Sequence, residues 1–310
     1  MQKKLVIGTR GSPLALTQTK LFQARIQSLL PDWEIDLKII RTTGDSWALQ
    51  SQKELPAGKG IFTKELEVAL LQGEIDLAVH SLKDLPVEDP QGLAVALIPK
   101  RESPLDLLIT KENYNLQTLP LKAAIATGSP RRITQLHLLR PDLQIVDIRG
   151  NIDTRLRKLR ENQDWSGIIL AEAGLNRLRP DLQELIATPL LPSQMLPAPG
   201  QGALGIQMRL NDPLTALLLP LDCPITRAHV SAERSFLLAL GGGCAQPIAA
   251  LATTEGDRLH LEGYWSDGKK NQRREKAFIE SQTPQELGKR LAQKILEYRE
   301  AKLGEICIFP

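Results

Sequence analysis

The sequence predicts an α/β protein with two domains of similar build, followed by a small C-terminal α+β domain. Three observations predict it. Short apolar runs alternate with amphipathic stretches of helix length, this rhythm restarts after about residue 100, and it changes after about residue 218. The 310 residues suffice for two or three compact units of the usual size of roughly 100 to 200 residues.

The first unit begins with a buried strand at residues 5–8, and Ser12 and Pro13 then predict the N-cap and first position of a helix. One face of that helix carries Leu14, Leu21, Phe22, Ile26 and Leu29. The remaining predicted elements are a strand alternating at Ile35, Leu37 and Ile39, a helix carrying Leu66, Ala69 and Leu70, and a strand at 76–79 that ends at His80.

The second unit repeats this order. We predict strands at 123–126, 143–148 and 167–170, and helices at 132–139 and 153–159. Four prolines between residues 189 and 200 then favour an extended crossing over a helix or a strand. We interpret this crossing as a hinge that returns the chain to the first domain, where residues 203–208 add a strand.

The third unit has a helix through Phe236 and Leu240, strands around Leu259, Leu261 and Tyr264, and a final amphipathic helix at 284–298. The predicted domains are therefore residues 1–99 together with 200–217, residues 100–199, and residues 218–310.

Composition excludes several classes of protein. Hydrophobic residues at 42% and charged residues at 24% are typical of a globular protein. A net charge of +3 and 4% aromatic residues do not fit a general nucleic-acid binder. The apolar run near the N-terminus, residues 5–7, is too short for a signal peptide or a membrane span, so we expect a cytoplasmic protein without a membrane partner.

Polar residues collect at the predicted strand ends, where α/β sheets bind ligands. They are Arg10, Ser12, Ser81, Lys83, Asp84, Thr127, Ser129, Arg131, Arg132, Arg149 and Arg177. Two facing domains would bring them into one cleft that suits a polyanion, because arginine forks bind carboxylates through charge-assisted hydrogen bonds. Any single arginine is more often a solvated helix cation, but their joint placement favours the anion site.

Asp84 is an acid among these cations. A carboxylate there could stabilise a developing cation and transfer protons, and the alternative is an ordinary loop acid or helix cap. Lys59, between Gly58 and Gly60, does not form a P-loop, since Gly60 stands where Ser or Thr is required. We interpret that stretch as a flap with Lys59 as an anion contact, or else as an exposed lysine.

The three cysteines indicate neither a disulfide framework nor a metal site. Cys244 follows three glycines directly after a predicted helix, so its thiol is accessible, although a buried structural cysteine is the alternative. We interpret Cys223 and Cys307 as packing residues. The four histidines show no triad and no metal grouping.

Taken in order, seven segments resemble the successive motifs of the porphobilinogen deaminase family. They are GTRGSPLA (8–15), GKGIF (58–62), HSLKDLP (80–86), RR (131–132), RGN (149–151), QGA (201–203) and GGC (242–244). The resemblance covers residues 5 to 248. It implies that the first two domains have the fold of type II periplasmic binding proteins, around a cleft, and that the third carries the cofactor cysteine.

The resemblance also implies a reaction. Members of the family join four porphobilinogen molecules head to tail into the linear tetrapyrrole hydroxymethylbilane and release ammonia each time. They do so on a dipyrromethane primer held by a thioether, and Cys244 matches the attachment position. Asp84 matches the catalytic carboxylate, which stabilises the azafulvenium formed as ammonia leaves and mediates proton transfers.

Other matching positions bind acetate and propionate groups. For the cofactor they are Lys83, Thr127, Ser129, Arg131, Arg132 and Arg149. For the substrate they are Arg10, Ser12, Arg149, Arg155 and Arg177, and Lys59, as an anion contact, and Phe62 complete the expected substrate-binding residues. We expect a monomer whose partner is the small-molecule substrate, with no nucleic acid and no metal.

Two positions depart from the family pattern. Gly128 precedes Ser129 where two adjacent serines are usual, so one hydroxyl contact is missing, and Pro130 stiffens the loop. Gln246 stands where a small β-branched residue is usual.

Two alternatives stay open at this point. One is a hinged two-domain binding protein for a small anionic solute, against which the absence of a signal peptide and the presence of Cys244 both weigh. The other is a transferase for phosphate-bearing substrates, which predicts competition by phosphate esters. Neither alternative predicts a covalent adduct, so the intact mass separates both from the deaminase.

Overall fold

The computed structural model describes residues 3–43, 63–242, 246–268, 271–279 and 283–306. The strands are β1 (Lys4–Thr9), β2 (Glu34–Ile39), β3 (Leu77–Ser81), β4 (Leu93–Leu97), β5 (Asp106–Thr110), β6 (Ala124–Ala126), β7 (Gln144–Val146), β8 (Trp165–Ala171), β9 (Ile186–Leu190), β10 (Leu204–Arg209), β11 (Ile248–Glu255), β12 (Arg258–Ser266) and β13 (Gln272–Ile279). The α-helices are α1 (Pro13–Leu29), α2 (Lys64–Leu71), α3 (Pro130–Leu139), α4 (Ile152–Glu161), α5 (Glu172–Leu178), α6 (Leu214–Leu218), α7 (Pro224–Ala239) and α8 (Pro284–Ile306).

The first sheet has the strand order β2-β1-β3-β10-β4. Strand β1 runs parallel to β2 and β3, whereas β10 runs antiparallel to both β3 and β4. Strand β10 follows the second sheet along the chain, so the predicted return of the chain to the first sheet is confirmed.

The second sheet repeats this plan in the order β7-β6-β8-β5-β9. Strand β6 is parallel to β7 and β8, and β5 is antiparallel to β8 and β9. Each sheet thus has one antiparallel strand in the fourth place, which confirms the prediction of two α/β units of similar build. The exact domain boundaries stay a prediction.

Some sequence predictions were wrong. Pro189, assigned to the crossing, lies in β9, and an edge strand tolerates a proline because one of its edges needs no ladder hydrogen bond. Leu21 and Ile39 belong to the predicted apolar pattern of α1 and β2 but are 49% and 56% exposed. The α1 face that is buried instead contains Gln18 and Thr19, which form hydrogen bonds near the strand ends.

The third unit is an antiparallel meander, β11-β12-β13, packed against α7 and α8, and the predicted α+β build is confirmed. Its core includes Phe236, Leu261, Trp265 and Leu291. The two helices pack closely because Gly288 has no side chain, and a Cβ there would lie 2.4 Å from the carbonyl oxygen of Ala232.

Within the described part of the chain, no helix is both long enough and apolar enough to cross a membrane.

Candidate active site

A polar pocket lies beyond the carboxyl ends of β1 and β3. Arg10 and Ser12 follow β1, and Asp84 lies in a 3-10 turn, Leu82–Asp84, directly after β3. The pocket is lined by Arg10, Ser12, Leu14, Ala15, Gln18, Thr63, Val79, His80, Ser81 and Asp84. The predicted site residues that follow β1 and those that follow β3 therefore line the same pocket.

The α1 side of the pocket is built by hydrogen bonds. The hydroxyl of Ser12 accepts from the backbone NH of Ala15 at 3.3 Å, so Ser12 caps the helix as well as lining the pocket. The buried amide of Gln18 donates to the hydroxyl of Ser81 at 2.9 Å. This bond ties α1 to the end of β3 and gives the pocket a rigid wall.

His80, the residue before Ser81, is buried in this wall. Its Nε2 finds no hydrogen-bond partner among the described residues. Burial, followed by the positive charge of Arg10, lowers the pKa of the imidazole to about 4. His80 is therefore neutral at neutral pH, and sequence reasoning, which searched only for triads and metal groupings, did not include it in the site.

Lys83 and Asp84 point to different surroundings although they are neighbours. Asp84 is exposed at the pocket, whereas Lys83 is only partly accessible and its Nζ donates to Oε1 of Gln201 at 3.4 Å. Burial lowers the pKa of the Lys83 amine, with Arg131 and Arg132 adding to the shift and Asp84 and Asp106 opposing it. Lys83 thus lies among the charges of both sheets.

Arg131 and Arg132 lie in the first turn of α3, and both are buried against Asp106, the first residue of β5. Each guanidinium lies 2.7 Å from a different carboxylate oxygen of Asp106. Arg132 also donates to the carbonyl of Ile169 at 2.8 Å, while its Nε is buried with no acceptor among the described residues. The pair thus keeps one unused donor in a site of concentrated positive charge.

Asp106 is a site residue that sequence reasoning missed. Burial alone raises the pKa of its carboxyl, but the charges and hydrogen bonds of Arg131 and Arg132 together lower it well below the usual range. The amide of Gln201 donates a further bond at 3.0 Å. A signal was present, because Asp106 stands beside the apolar run 107–109, and a buried acid needs cationic partners.

A second group of cations surrounds the N-terminus of α4. Arg155 donates to the carbonyl of Gly150 at 2.8 Å, and burial, followed by the charges of Arg132 and Arg149, lowers its pKa to about 10. Arg149 is exposed and pairs with Asp147 at 3.1 Å. Such mutual repulsion among arginines is relieved when an anion binds between them.

The remaining predicted positions lie at the same edge of the second sheet. Thr127 is buried after β6, and its hydroxyl accepts from the NH of Ser129 at 3.3 Å. Ser129 occupies the N-cap position of α3 without a capping bond from its side chain. Arg177, on α5, donates to the carbonyl of Gly202 at 2.7 Å and so connects the second sheet to the returning chain.

The structure accounts for both departures from the family pattern. A Cβ at Gly128 would lie 2.4 Å from Oδ1 of Asp147, so the carboxylate that pairs with Arg149 occupies the place of the missing serine side chain. Gln246 donates to the carbonyl of Gly241 at 3.4 Å. Gly241 has a φ of 68°, a conformation that favours glycine at a helix end.

Three predicted site residues lie outside the described residues: Lys59, Phe62 and Cys244. Cys307 lies outside them as well. Among the residues that are described, no cluster of three or more His, Cys, Asp or Glu side chains could hold a metal ion.

Two family models match the chain. The porphobilinogen deaminase dipyrromethane cofactor binding domain matches residues 5–216, and the porphobilinogen deaminase C-terminal domain matches residues 228–297. Together with the two similar sheets, these matches confirm the fold class of two α/β domains and a small α+β domain, and they also confirm dipyrromethane as the cofactor.

Curated relatives agree with these models. The porphobilinogen deaminase of Syntrophomonas wolfei is 47% identical over 262 residues, which cover 84% of each chain. That of Syntrophus aciditrophicus is 44% identical over 299 residues and 94% of each chain. That of Thermus thermophilus is 46% identical over 297 residues, 94% of this chain and 95% of its own. These findings favour the enzyme over a binding protein, and the chain belongs to the porphobilinogen deaminase family.

Proposed function

We propose that the pocket around Asp84 is where this protein carries out the reaction of its family. The protein is a transferase that joins four porphobilinogen molecules into hydroxymethylbilane with release of ammonia. The observation that carries the assignment of the site is the placement of Asp84, an exposed carboxylate in one pocket with Arg10.

Asp84 is the catalytic group in this proposal. As the carbon–nitrogen bond of the substrate breaks and ammonia leaves, positive charge develops on the pyrrole, and a fixed carboxylate beside it stabilises that charge. The same oxygens accept and return protons at the pyrrole. His80 stays neutral beside this site and therefore adds no competing positive charge.

The dipyrromethane cofactor carries carboxylates and supplies the covalent starting end of the growing chain. Lys83, Thr127, Ser129, Arg131, Arg132 and Arg149 would hold these carboxylates. The buried Nε of Arg132, which has no acceptor among the described residues, supports this assignment because a buried donor left unsatisfied is unfavourable. Asp106 orients both arginines through one carboxylate oxygen each.

Substrate carboxylates bind to Arg10, Ser12, Arg149, Arg155 and Arg177, with Lys59 as a further anion contact and Phe62 as an apolar contact to the substrate. Several moderate ion pairs suit this task better than one strong pair, because the chain gains acidic groups with each addition and has to move past Asp84. The lowered pKa of Arg155 supports a role as an anion contact, since a bound carboxylate offsets the repulsion from Arg132 and Arg149.

Cys244 is the attachment residue in this proposal, and it follows the turn at the end of α7. Intact-mass measurement of the purified protein tests the whole proposal. We expect an excess over the sequence mass equal to two linked pyrrole units, absent in Cys244→Ser and retained in the control Cys223→Ser. A wild-type protein without the excess, or a Cys244→Ser variant that keeps it, would contradict the proposal.

We also infer a monomer with no nucleic-acid partner, working in the cytoplasm. The small net charge of +3 supports the absence of nucleic acid. Light scattering on the holoenzyme measures the oligomeric state directly, and a dimer mass would contradict that part of the inference.

A further inference from the structure

Arg234 lies on α7, in the third unit, yet its guanidinium reaches the segment that holds Asp84 in the first. The guanidinium donates to four backbone carbonyl oxygens within residues 82–87. They belong to Leu82 at 3.2 Å, Leu85 at 3.4 Å, Pro86 at 2.7 Å and Val87 at 3.1 Å.

These carbonyls flank the proposed catalytic residue on both sides. Leu82 begins the 3-10 turn that contains Lys83 and Asp84, and Leu85 ends it. So short a turn has few internal hydrogen bonds, so its backbone depends on outside partners. A planar guanidinium with several fixed donors holds such a turn in one conformation better than water does.

Packing between the same two elements supports the hydrogen bonds independently. Leu82 and Leu85 are buried in one cluster with Val230, which lies one turn before Arg234 on α7. Gly205, on β10, leaves room for them, because a Cβ there would lie 2.9 Å from Leu82 and 3.0 Å from Leu85. The turn is thus held both by apolar packing against Val230 and by the hydrogen bonds from Arg234.

The same helix also contacts the chain where it returns to the first sheet. Glu233, the neighbour of Arg234, accepts from the NH of Gly200, where the chain returns to the first sheet, at 2.7 Å. At its C-terminal end α7 leads through Gly241 to the proposed attachment residue Cys244. Helix α7 thereby contacts both the Asp84 turn and the chain that returns to the first sheet.

We propose that Arg234 is a positioning residue, which holds the Asp84 turn in a fixed place against α7. This inference rests on the catalytic role proposed for Asp84. Arg234 acts through the backbone of the turn, so its loss displaces the carboxylate without removing any group that binds the carboxylates of the substrate.

The test is steady-state kinetics of the full-length holoenzyme carrying Arg234→Gln or Arg234→Lys. For Arg234→Gln we expect kcat to fall about 10- to 100-fold with KM within about twofold, because a misplacement on the order of 1 Å can reduce a rate about 100-fold. Arg234→Lys keeps a charge that reaches some of the carbonyls, so we expect partial recovery of kcat. Intact mass should show the dipyrromethane in both variants.

Arg227→Gln is the matched control, since Arg227 lies on the same helix but donates to Asp222 and to the carbonyl of Ala96. We expect its kcat to stay near that of the wild type. Hydrogen exchange of residues 82–87 adds a second readout, and faster exchange is expected in Arg234→Gln alone.

Three results would overturn the inference. The first is a folded Arg234→Gln with wild-type kcat, and the second is a fall in kcat accompanied by a comparable change in KM and a lower Tm. The third is an equal fall in kcat in Arg227→Gln. If Arg234→Gln does not fold, Arg234→Lys decides by the same split between kcat and KM. Full turnover in Asp84→Ala would instead refute the proposed role of Asp84, so the two failures are distinguishable.

Discussion

One short turn places the side chains of the neighbouring residues Lys83 and Asp84 in different surroundings. Lys83 extends toward Gln201 and the charged group around Asp106, whereas Asp84 remains exposed at the pocket. The carboxylate of Asp84 is thereby accessible in the pocket, whereas the amine of Lys83 lies among the charged groups of the second sheet.

Replacing Asp84 with Ala should remove turnover and leave the rest of the protein intact. We expect kcat to fall about 100- to 1,000-fold, the usual effect of removing one preorganised charge from an active site. Porphobilinogen consumption measures the rate, and intact mass confirms that the cofactor is still attached. Glu88→Gln, an exposed acid four residues later, is the control and should stay active. Normal turnover in Asp84→Ala would refute the assignment.

His80 should make the protein less stable in mild acid. Its pKa is lowered to about 4 in the folded protein from 6.5, so between these values only the unfolded chain takes up the proton. The free energy of unfolding should therefore fall as the pH drops from 6.5 to 4, by about 2 to 3 kcal/mol at pH 4.5 for this group.

The check compares denaturant unfolding of the wild type and His80→Gln at several pH values. The slope of the free energy of unfolding against pH should differ most between the two proteins from pH 4 to pH 6.5. Measurements near pH 7 serve as the control for altered packing. Identical slopes in both proteins would show that His80 does not titrate in this way.

At the scale of elements, the antiparallel direction of β5 determines where its acidic first residue lies in the second sheet. Because β5 runs antiparallel to β8, its first residue, Asp106, pairs with Ala171 at the end of β8. A carboxylate thus lies where the parallel strands end and where α3 begins with Arg131 and Arg132. The pair of arginines is held by an acid from a strand that begins more than twenty residues earlier.

Asp106→Asn should destabilise the protein strongly. The change leaves Arg131 and Arg132 buried without a negative partner, and breaking a buried ion pair typically costs about 3–5 kcal/mol. Chemical denaturation measures the loss. Glu161→Gln is the control, because its pair with Arg157 on α4 is exposed and should contribute less than about 1 kcal/mol. Equal effects in both variants would contradict this account of Asp106.

At the scale of the whole molecule, one buried ion pair connects the three units. Arg101, between the two sheets along the chain, lies 2.7 Å from Glu233 on α7 and also donates to the carbonyl of Gln201. Glu233 in turn accepts from the NH groups of Gly200 and Ala252. The crossing segments and the third unit are thereby held at one point.

Arg101→Gln should loosen this junction. Glu233 is completely buried and would lose its cation, so we expect the free energy of unfolding to fall by about 3–5 kcal/mol. Limited proteolysis should cut the crossing at residues 191–203 sooner than in the wild type. Lys38→Gln, which breaks an exposed pair with Glu74, is the control and should behave like the wild type. Unchanged proteolysis in Arg101→Gln would argue against a role of this pair in joining the units.

Much of this protein follows from local patterns in its sequence. Many of the strands and helices were predictable because strand alternation, the Ser12 cap and the Gly241 helix end are properties of neighbouring residues, whereas β4, β5 and β9 were not predicted. The positions of the polar strand ends followed from the same patterns, since parallel strands present their ends on one edge. The family motifs added the expected roles of Asp84 and Cys244.

Only the tertiary structure decided which charges pair. Asp106 with Arg131 and Arg132, Arg101 with Glu233, and Arg234 with the Asp84 turn join residues that are 25 to 152 positions apart in the chain. Ion pairs and carbonyl contacts of this kind leave no periodic trace in a sequence, because they depend on the direction of strands and the packing of helices from different sheets. The sequence thus determined the elements and the kind of chemistry, and the fold determined the partners that hold each charged group in place.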